Sequence, residues 1–263
     1  MLIDSHAHLG HKQFAADLAE VVARAEAAGV TQFVTPAVDI PNARQLLALA
    51  QIHPQIHPAV GIHPCDVDSV TGEAWVDELR ALAKEPGVAA IGEIGLDYFH
   101  APPEGFDAPA WKQHQAHVLR LQLDLAAELG LNAILHARES HDDLVAAVRP
   151  YNGRVRGVFH CFTGTAQQAL ELIAMGHLVS FTGIVTFKNS PVIQATAKAV
   201  PTDGFMIETD SPYLAPIPHR GKRCEPAFVA DTARFIAQLR GVTLEELAAA
   251  TSATARGFFR GLK

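Results

Sequence analysis

Short segments rich in β-branched and aromatic residues alternate with longer amphipathic segments, and this alternation limits the possible folds more than any other feature of the chain. Strands are predicted at Leu2–His6, Thr31–Pro36, His57–Gly61, Ala89–Glu93, Ala133–His136, Val155–His160, His177–Phe181 and Phe205–Glu208. Strands that alternate with helices pair in parallel through right-handed crossovers. The length of 263 residues suits a (β/α)₈ barrel, which takes roughly 250. The sequence therefore predicts an α/β fold, a single-domain TIM barrel over residues 1–263.

Helical periodicity occupies the segments between and after these strands. Helices are predicted at Phe14–Ala28, Asn42–Ile52, Glu73–Lys84, Ala110–Leu129, Glu139–Val148, Ala166–Met175, Phe228–Leu239 and Leu244–Phe259. A glycine follows three of them directly, at Gly29, Gly130 and Gly176, which is the usual helix stop. Leu119–Leu125 alternates as a strand would, but the segment is long and rich in Ala, Glu and Gln, so we predict helix there.

Six side chains that bind transition metals stand at the ends of predicted strands: His6, His8, Glu93, His136, His160 and Asp210. Imidazole and carboxylate groups hold Zn, Mn or Fe at about 2.0–2.2 Å. In a closed parallel barrel the C-terminal ends of all strands open onto one face, where residues far apart in sequence converge. His6 and His8 share one face of an extended strand. The pattern predicts a metal-dependent hydrolase.

One further carboxylate, Asp4, and the surroundings of Glu93 add to this interpretation. Asp4 lies on the same strand face as the two histidines and is predicted to hydrogen-bond a ligating imidazole. Glu93 follows an apolar run, and a buried carboxylate needs a counter-charge. Two metal ions bridged by Glu93 would supply that charge.

The charge of the chain limits its possible partners. A formal net charge of −7 argues against nonspecific coating of nucleic acid, because that affinity comes mainly from Lys and Arg releasing counterions. The negative charge is compatible with an enzyme that binds only one end of a phosphodiester chain in a metal-containing pocket. Arg220, Lys222 and Arg223 form the one tight basic cluster, which is either a set of phosphate contacts or a solvated loop.

Three cysteines, Cys65, Cys161 and Cys224, match neither a fully paired disulfide framework nor a zinc finger. We expect buried or partly buried thiols, with a soft metal-ligand role for Cys65 and Cys161 as the alternative. No apolar run approaches the 18 residues of a membrane span, and no basic segment precedes the first strand. These features predict a cytoplasmic protein without membrane contact, and a monomer is expected because no helix is apolar all round.

Seven segments together resemble the TatD family of metal-dependent deoxyribonucleases: Met1–Gly10, GIHP at Gly61–Pro64, GEIGLDY at Gly92–Tyr98, HAR at His136–Arg138, HCFTG at His160–Gly164, SFTGIVTFK at Ser180–Lys188 and ETDSPYLAP at Glu208–Pro216. The resemblance implies an amidohydrolase-like TIM barrel that hydrolyses DNA esters, commonly as an exonuclease. Two departures put substrate contacts in doubt. Cys65 stands where the family often has His, and Cys224 where it commonly has Asn.

The resemblance also implies how two divalent ions divide the six ligands: His6, His8 and Asp210 on one, His136 and His160 on the other, and Glu93 bridging both. Zn, Mn, Mg, Fe, Co and Ni are all compatible with these donors. Two ions roughly 3.5–4 Å apart activate a water and stabilise the attacking and leaving oxygens of a phosphodiester. Asp210 is the predicted general base, and Asp210 and Glu93 are the predicted catalytic residues.

The predicted substrate-binding residues are His63, Arg138, Glu208 and Arg220, with Lys188, Lys222 and Arg223 as further candidate phosphate contacts. A structural role is the alternative for His63, as a helix cap, and for Arg138, as an ion-pair partner. Tyr98 and Phe162 are candidates for base stacking, with packing as the ordinary alternative. Single-stranded or frayed DNA ends are the expected substrate, because they need few phosphate contacts.

Two rival functions keep the same site. An amidohydrolase-like enzyme would act on a small ester, lactone or amide, since the barrel and its metals do not define the bond that is cleaved. Glu93 stands where that group has a carboxylated lysine, which favours the nuclease. A metal-dependent binding protein without catalysis is disfavoured by the intact ligand set.

Overall fold

The structure is a computed structural model that describes all 263 residues. Its eight parallel strands are β1 Leu2–Asp4, β2 Val30–Pro36, β3 Ile56–Val60, β4 Ala90–Asp97, β5 Ala133–Arg138, β6 Gly157–Phe159, β7 Leu178–Phe181 and β8 Phe205–Ile207. Each strand pairs with the next in sequence order. The Ser5 N–H donates to the Ile207 carbonyl at 3.1 Å, which joins β8 to β1. The predicted barrel is confirmed.

Nine α-helices accompany the strands: α1 Leu18–Ala27, α2 Ile40–Ile52, α3 Ala74–Ala83, α4 Ala108–Leu129, α5 His141–Val148, α6 Ala166–Ala174, α7 Pro191–Ala199, α8 Val229–Arg240 and α9 Leu244–Phe258. The sequence reading omitted α7 and began α1 too early, because Lys12–Phe14 forms a separate 3₁₀ turn whose Phe14 is fully buried. The ambiguous leucine-rich segment is helical, as predicted. No helix combines the length and apolar character needed to cross a bilayer.

One small apolar cluster closes the end of the barrel where the strands begin. It combines residues from all eight strand segments, such as Ile3, Val34 and Met206, with Phe258 and Phe259 at the end of α9. These two rings are only 3% and 2% exposed. Because α9 covers this end, the functional residues have access to solvent at the opposite, C-terminal end of the strands.

Strand β4 runs four residues further than predicted, to Asp97 rather than Glu93. Its register against β5 shifts between Ile91 and Ile94. Gly95 has a φ of 153°, and a Cβ there would lie 2.0 Å from the backbone oxygen of His136. Glycine is therefore required at this position for β4 to pass close to β5.

His177 is the buried residue from which we expect a pH-dependent contribution to the stability of the barrel. The residue lies directly before β7 and is 2% exposed. Its Nδ1 accepts from the Gly157 N–H at 3.0 Å, and its Nε2 lies 3.1 Å from Asn152 Oδ1. Burial, with a smaller effect of Arg156, lowers the pKa of His177 from 6.5 to about 4. The unfolded chain therefore takes up this proton at a higher pH than the folded chain does.

We expect the His177 contribution to be fully present above about pH 6.5 and lost as the pH falls toward about 4. Between about pH 7.5 and about pH 5 the free energy of unfolding should fall by about 2 kcal/mol from this group. His177→Asn keeps an acceptor near the Nδ1 position but does not titrate. Urea unfolding of both proteins at the two pH values measures the difference, and an equal pH response in both would contradict the prediction.

Candidate metal centre

Four ligand atoms meet at the C-terminal mouth of the barrel, where β8 joins β1. The Nε2 atoms of His6 and His8 are 3.2 Å apart. Glu93 Oε2 lies 3.3 and 3.5 Å from them, and Asp210 Oδ1 lies 3.6 and 3.4 Å from them. Ligands at about 2.05 Å from a tetrahedral ion lie about 3.3 Å from each other. The spacing of this donor set fits a divalent metal ion.

A second group forms around the other oxygen of the same carboxylate. His136 Nδ1 and His160 Nε2 are 3.1 Å apart, and each lies 2.7 Å from Glu93 Oε1. His63 Nε2 lies 3.5 Å from Glu93 Oε1 and 3.4 Å from His136 Nδ1. The structure thus brings all six predicted ligands together, and Glu93 faces a different group with each oxygen. Metal binding by the six stays a prediction.

His63 both caps a turn, as its structural interpretation predicts, and faces the candidate centre. Its Nδ1 accepts from the Cys65 N–H at 3.1 Å and caps the 3₁₀ turn Pro64–Ser69. Its Nε2 points into the second group, and its distances to Glu93 Oε1 and His136 Nδ1 are typical of two ligands on one ion. Capping therefore fixes the ring with its free nitrogen toward the centre.

The electrostatics of the centre favour an ionised Glu93. Burial opposes its ionisation, but the imidazoles of His160, His6 and His63 outweigh burial and hold the pKa of Glu93 well below its usual range. Burial, with the nearby His160, lowers the pKa of His6. Glu93 is therefore available as a charged ligand at neutral pH.

Barrel closure itself places Asp210 beside the first two histidines. The Asp210 N–H donates to the His6 carbonyl at 2.9 Å, and the His8 N–H donates to the Ser211 carbonyl at 2.8 Å. Asp210 has a φ of 57°, a left-handed conformation that Asp tolerates better than most residues. Asp4 was predicted to hydrogen-bond an imidazole, but it does not. Its carboxylate accepts from the backbone and hydroxyl of Thr209 at 2.9 and 2.6 Å and thereby joins β1 to the end of β8.

Asp97 is a site residue that the sequence reading missed. Its Oδ2 lies 3.1 Å from His136 Nε2 and 2.8 Å from His100 Nδ1. Its Oδ1 accepts from the N–H groups of Phe99 and His100, both at 2.9 Å. Burial opposes ionisation, but these partners hold the pKa of Asp97 well below its usual range. Asp97 orients His136 so that Nδ1 faces Glu93. The sequence did contain a sign of this role, because Asp97 follows Glu93 by two strand alternations, which places both side chains on the same strand face.

Glu208 lies beneath the centre rather than on a surface that a substrate would touch. Its Oε1 accepts from the Cys161 N–H at 2.6 Å, and its Oε2 accepts from Ser180 Oγ at 2.6 Å and Ser5 Oγ at 3.3 Å. The residue is 1% exposed and its Oε1 lies 3.6 Å from His160 Nδ1. Glu208 therefore supports the loop that includes His160, in place of the predicted contact with substrate.

Comparison with known proteins assigns this arrangement to a family. The family model described as TatD related DNase matches residues 3–260. The chain belongs to this family. It is 40% identical to the uncharacterized metal-dependent hydrolase YabD of Bacillus subtilis, over 99% of both chains. It is 36% identical to the 3'-5' ssDNA/RNA exonuclease TatD of Citrobacter rodentium, over 98% of this chain and 97% of the relative.

The fold gives the same result. The crystal structure of YJJV, a TatD homologue from Escherichia coli K12, superposes with a TM-score of 0.90 at 27% identity and covers 99% of this chain and 98% of that chain. The predicted family and the predicted metal-dependent hydrolase are confirmed.

The basic residues around this TatD-family centre fall into two groups. Arg138 and Arg220 are exposed, and their guanidinium groups lie over Phe99 at 4.0 Å and Phe187 at 4.3 Å. Arg223 instead forms ion pairs with neighbouring carboxylates, at 2.7 Å to Asp17 and 2.8 Å to Glu225. The ion pairs of Arg223 match neither of its predicted alternatives, a phosphate contact or a solvated loop. Arg138 and Arg220, like the exposed Lys188 and Lys222, carry no such partner.

The exposed aromatic rings near the TatD-family centre are not those predicted. Tyr98 donates its hydroxyl to Asp143 at 2.9 Å, and Phe162 is 7% exposed. Phe99 and Tyr213 are 53% and 48% exposed. The Tyr213 ring centroid lies 6.3 Å from that of His8. Phe99 and Tyr213 are therefore the most exposed aromatic rings beside the centre.

A groove of about 520 Å³ opens beside the second ligand group. Its lining includes Lys112, His141, Phe162 and His160. Lys112 Nζ sits over the Tyr98 ring at 3.9 Å. The groove therefore connects the metal centre to a surface that contains both a cation and aromatic walls.

Proposed function

We propose that this chain is an exonuclease-type deoxyribonuclease that hydrolyses phosphodiester bonds at single-stranded or frayed DNA ends, with two divalent ions at the six-ligand centre. The observation that carries the proposal is the position of Glu93, whose Oε1 faces His136 and His160 and whose Oε2 faces His6 and His8. A carboxylate placed in this way suits a bridging ligand. The relative named as a 3'-5' ssDNA/RNA exonuclease supports the substrate class.

When bound, two divalent ions would polarise the phosphate and lower the pKa of an attacking water. Asp210 is the general base that receives the proton. Burial opposes its ionisation, but its hydrogen bond to His8 and the nearby His6 lower the pKa of Asp210, so that the carboxylate is ready to accept a proton at neutral pH. Asp97 and Glu208 orient His136 and His160.

The surface around the centre suits a chain end better than a duplex. The net charge of −7 opposes binding along a long polyanion. Arg138 and Arg220 supply local cations, and each lies against an aromatic ring. A few phosphates near the end would contact these groups, while the rest of the strand stays in solvent.

Phe99 and Tyr213 are expected to stack on bases of the bound strand. Stacking on one aromatic ring contributes about 1–3 kcal/mol, so Phe99→Ala and Tyr213→Ala should each lower kcat/KM on a single-stranded oligomer by roughly 5- to 150-fold. The rate on bis(p-nitrophenyl) phosphate, which has no base, should change less than about threefold.

Tyr98→Phe is the matched control for this prediction. It removes a hydroxyl bonded to Asp143 but keeps a ring that is already packed, so kcat/KM should stay near that of the unchanged chain. Equal losses on the oligomer and on the small diester would show that the exposed rings support the centre rather than a base.

Nucleotide release from end-labelled single-stranded DNA tests the proposed function. The chelated protein should release nothing, and restoring Zn, Mn, Mg, Fe, Co or Ni one at a time should show which ion restores release. Labels at the 5' and 3' ends define the direction, and an RNA oligomer defines the sugar preference. No release with any ion, although the ions are bound, would instead favour the small ester, lactone or amide substrates of the amidohydrolase-like alternative.

We also propose that the chain acts in the cytoplasm. All three cysteines are free, which is typical of a reducing compartment. The monomeric state stays a prediction that light scattering after size-exclusion chromatography would check.

A further inference from the structure

A separate group of metal-binding side chains lies beside the centre. The ligand atoms of Cys65, Asp97 and His100 all lie within 4.8 Å of one another. Cys65 Sγ is 3.6 Å from His100 Nδ1, and His100 Nδ1 is 2.8 Å from Asp97 Oδ2. A thiolate at about 2.3 Å and an imidazole at about 2.05 Å on one tetrahedral ion lie about 3.6 Å apart. The thiol-to-imidazole distance matches shared coordination.

The backbone holds all three side chains in place. Cys65 belongs to the 3₁₀ turn capped by His63, to which its N–H donates. Asp97 Oδ1 is occupied by two backbone N–H groups from the loop that includes His100. Asp97 Oδ2 is thereby directed at the group. The loop after β3, the last residue of β4 and the loop after β4 present three different donors to one point.

The chemistry of these donors differs from that of the six-ligand centre. A thiolate, an imidazole and a carboxylate together favour a borderline-soft cation such as Zn²⁺, Co²⁺ or Cd²⁺ over Mg²⁺. The His100 side chain is 54% exposed, so the group opens to solvent. Three protein ligands leave a fourth position free, as at catalytic rather than structural zinc sites.

We propose that Cys65, Asp97 and His100 form an additional binding site for a thiolate-seeking divalent cation at the rim of the centre. On binding, the Cys65 thiol releases its proton to solvent and the sulfur donates to the cation, while His100 donates through Nδ1 as a neutral ring. Asp97 Oδ2 also lies 3.1 Å from His136 Nε2. The additional site is therefore adjacent to the six-ligand centre and shares a carboxylate that supports it.

Cobalt binding to the full-length chain tests this site without any turnover. The metal-free protein is titrated with Co²⁺, and the thiolate-to-cobalt charge-transfer absorption and the bound equivalents are measured. The unchanged chain should develop the absorption. Cys65→Ser should lose it together with one equivalent, and His100→Asn should weaken this equivalent by about 10-fold or more. Cys161→Ser is the matched control, because Cys161 is also half-buried beside a site histidine and its loss should leave the absorption intact.

Alkylation of Cys65 by iodoacetamide, located by peptide mass spectrometry, gives a second measurement. Zn²⁺ should slow it about 10-fold or more in the unchanged chain and in Glu93→Gln, but not in His100→Asn. If Zn²⁺ still slows the alkylation in Glu93→Gln, the additional site binds metal independently of the six-ligand centre. The result then does not depend on the proposed nuclease function. An unchanged absorption in Cys65→Ser, no absorption in the unchanged chain at saturating Co²⁺, or equal alkylation with and without Zn²⁺ would each overturn the proposal.

Discussion

Asp210→Asn is expected to lower the rate of phosphodiester hydrolysis by roughly 10³-fold or more, since loss of a general base alone costs about 10²–10⁴. Asp210 Oδ1 lies 3.4 and 3.6 Å from the Nε2 atoms of His8 and His6. An amide would keep the size of the group but lose the charge and the basicity. Asn also tolerates the left-handed backbone at φ 57°, so the fold should be unchanged. Single-turnover cleavage of a labelled oligomer measures the rate.

The matched control for this prediction is Asp203→Asn. Asp203 is exposed on the loop that precedes β8, at the opposite end of the strand, and its replacement should leave the rate within about twofold because it touches no part of the centre. Thermal unfolding of both variants should match that of the unchanged chain. A rate for Asp210→Asn close to that of the control would remove Asp210 from the mechanism.

Glu93→Gln is expected to disrupt both ligand groups at once. One oxygen lies 2.7 Å from each of His136 and His160, and the other lies 3.3 Å from His6. Gln replaces one of these oxygens with an amide nitrogen that cannot ligate a cation. Replacement of outer partners already lowers metal affinity about 10- to 100-fold, so loss of a shared ligand should exceed about 100-fold for at least one ion.

Metal content after dialysis measures the Glu93→Gln effect. The bound equivalents at the six-ligand centre should fall from two to one or none, and nucleotide release should be lost. Glu139→Gln provides the control, since Glu139 is exposed beside the same mouth and should retain both ions and activity. Two ions still held at the six-ligand centre of Glu93→Gln, counted in a Cys65→Ser background that lacks the additional site, would contradict the bridging role.

The barrel was predictable because its signal is local. Alternation of apolar strands with amphipathic helices is set by side chains a few residues apart, and a parallel sheet covered by helices satisfies that pattern. The helix over Leu119–Leu125 was predictable for the same reason. The boundary of β4 was not, since its extension to Asp97 depends on Gly95 packing against the backbone of His136 on the neighbouring strand.

The convergence of the six ligands was also predictable, because every strand of such a barrel ends at one face. The roles of nearby residues depended on partners distant in sequence. Arg223 and Arg220 are equivalent as sequence, yet Asp17 lies beside Arg223 and converts it to an ion-pair residue. Glu208 is hidden because Ser180 and Ser5 occupy its carboxylate.

The sequence by itself determined the barrel, the family and the set of six candidate ligands, since periodicity and strand-end chemistry are recorded residue by residue. Only the tertiary structure decided that Asp97 orients His136, that Phe99 and Tyr213 are the exposed rings, and that Cys65 meets His100. These features depend on how neighbouring strands, and the loops that follow them, are placed relative to one another. Their distances therefore depend on how the whole barrel closes, and no local pattern encodes them.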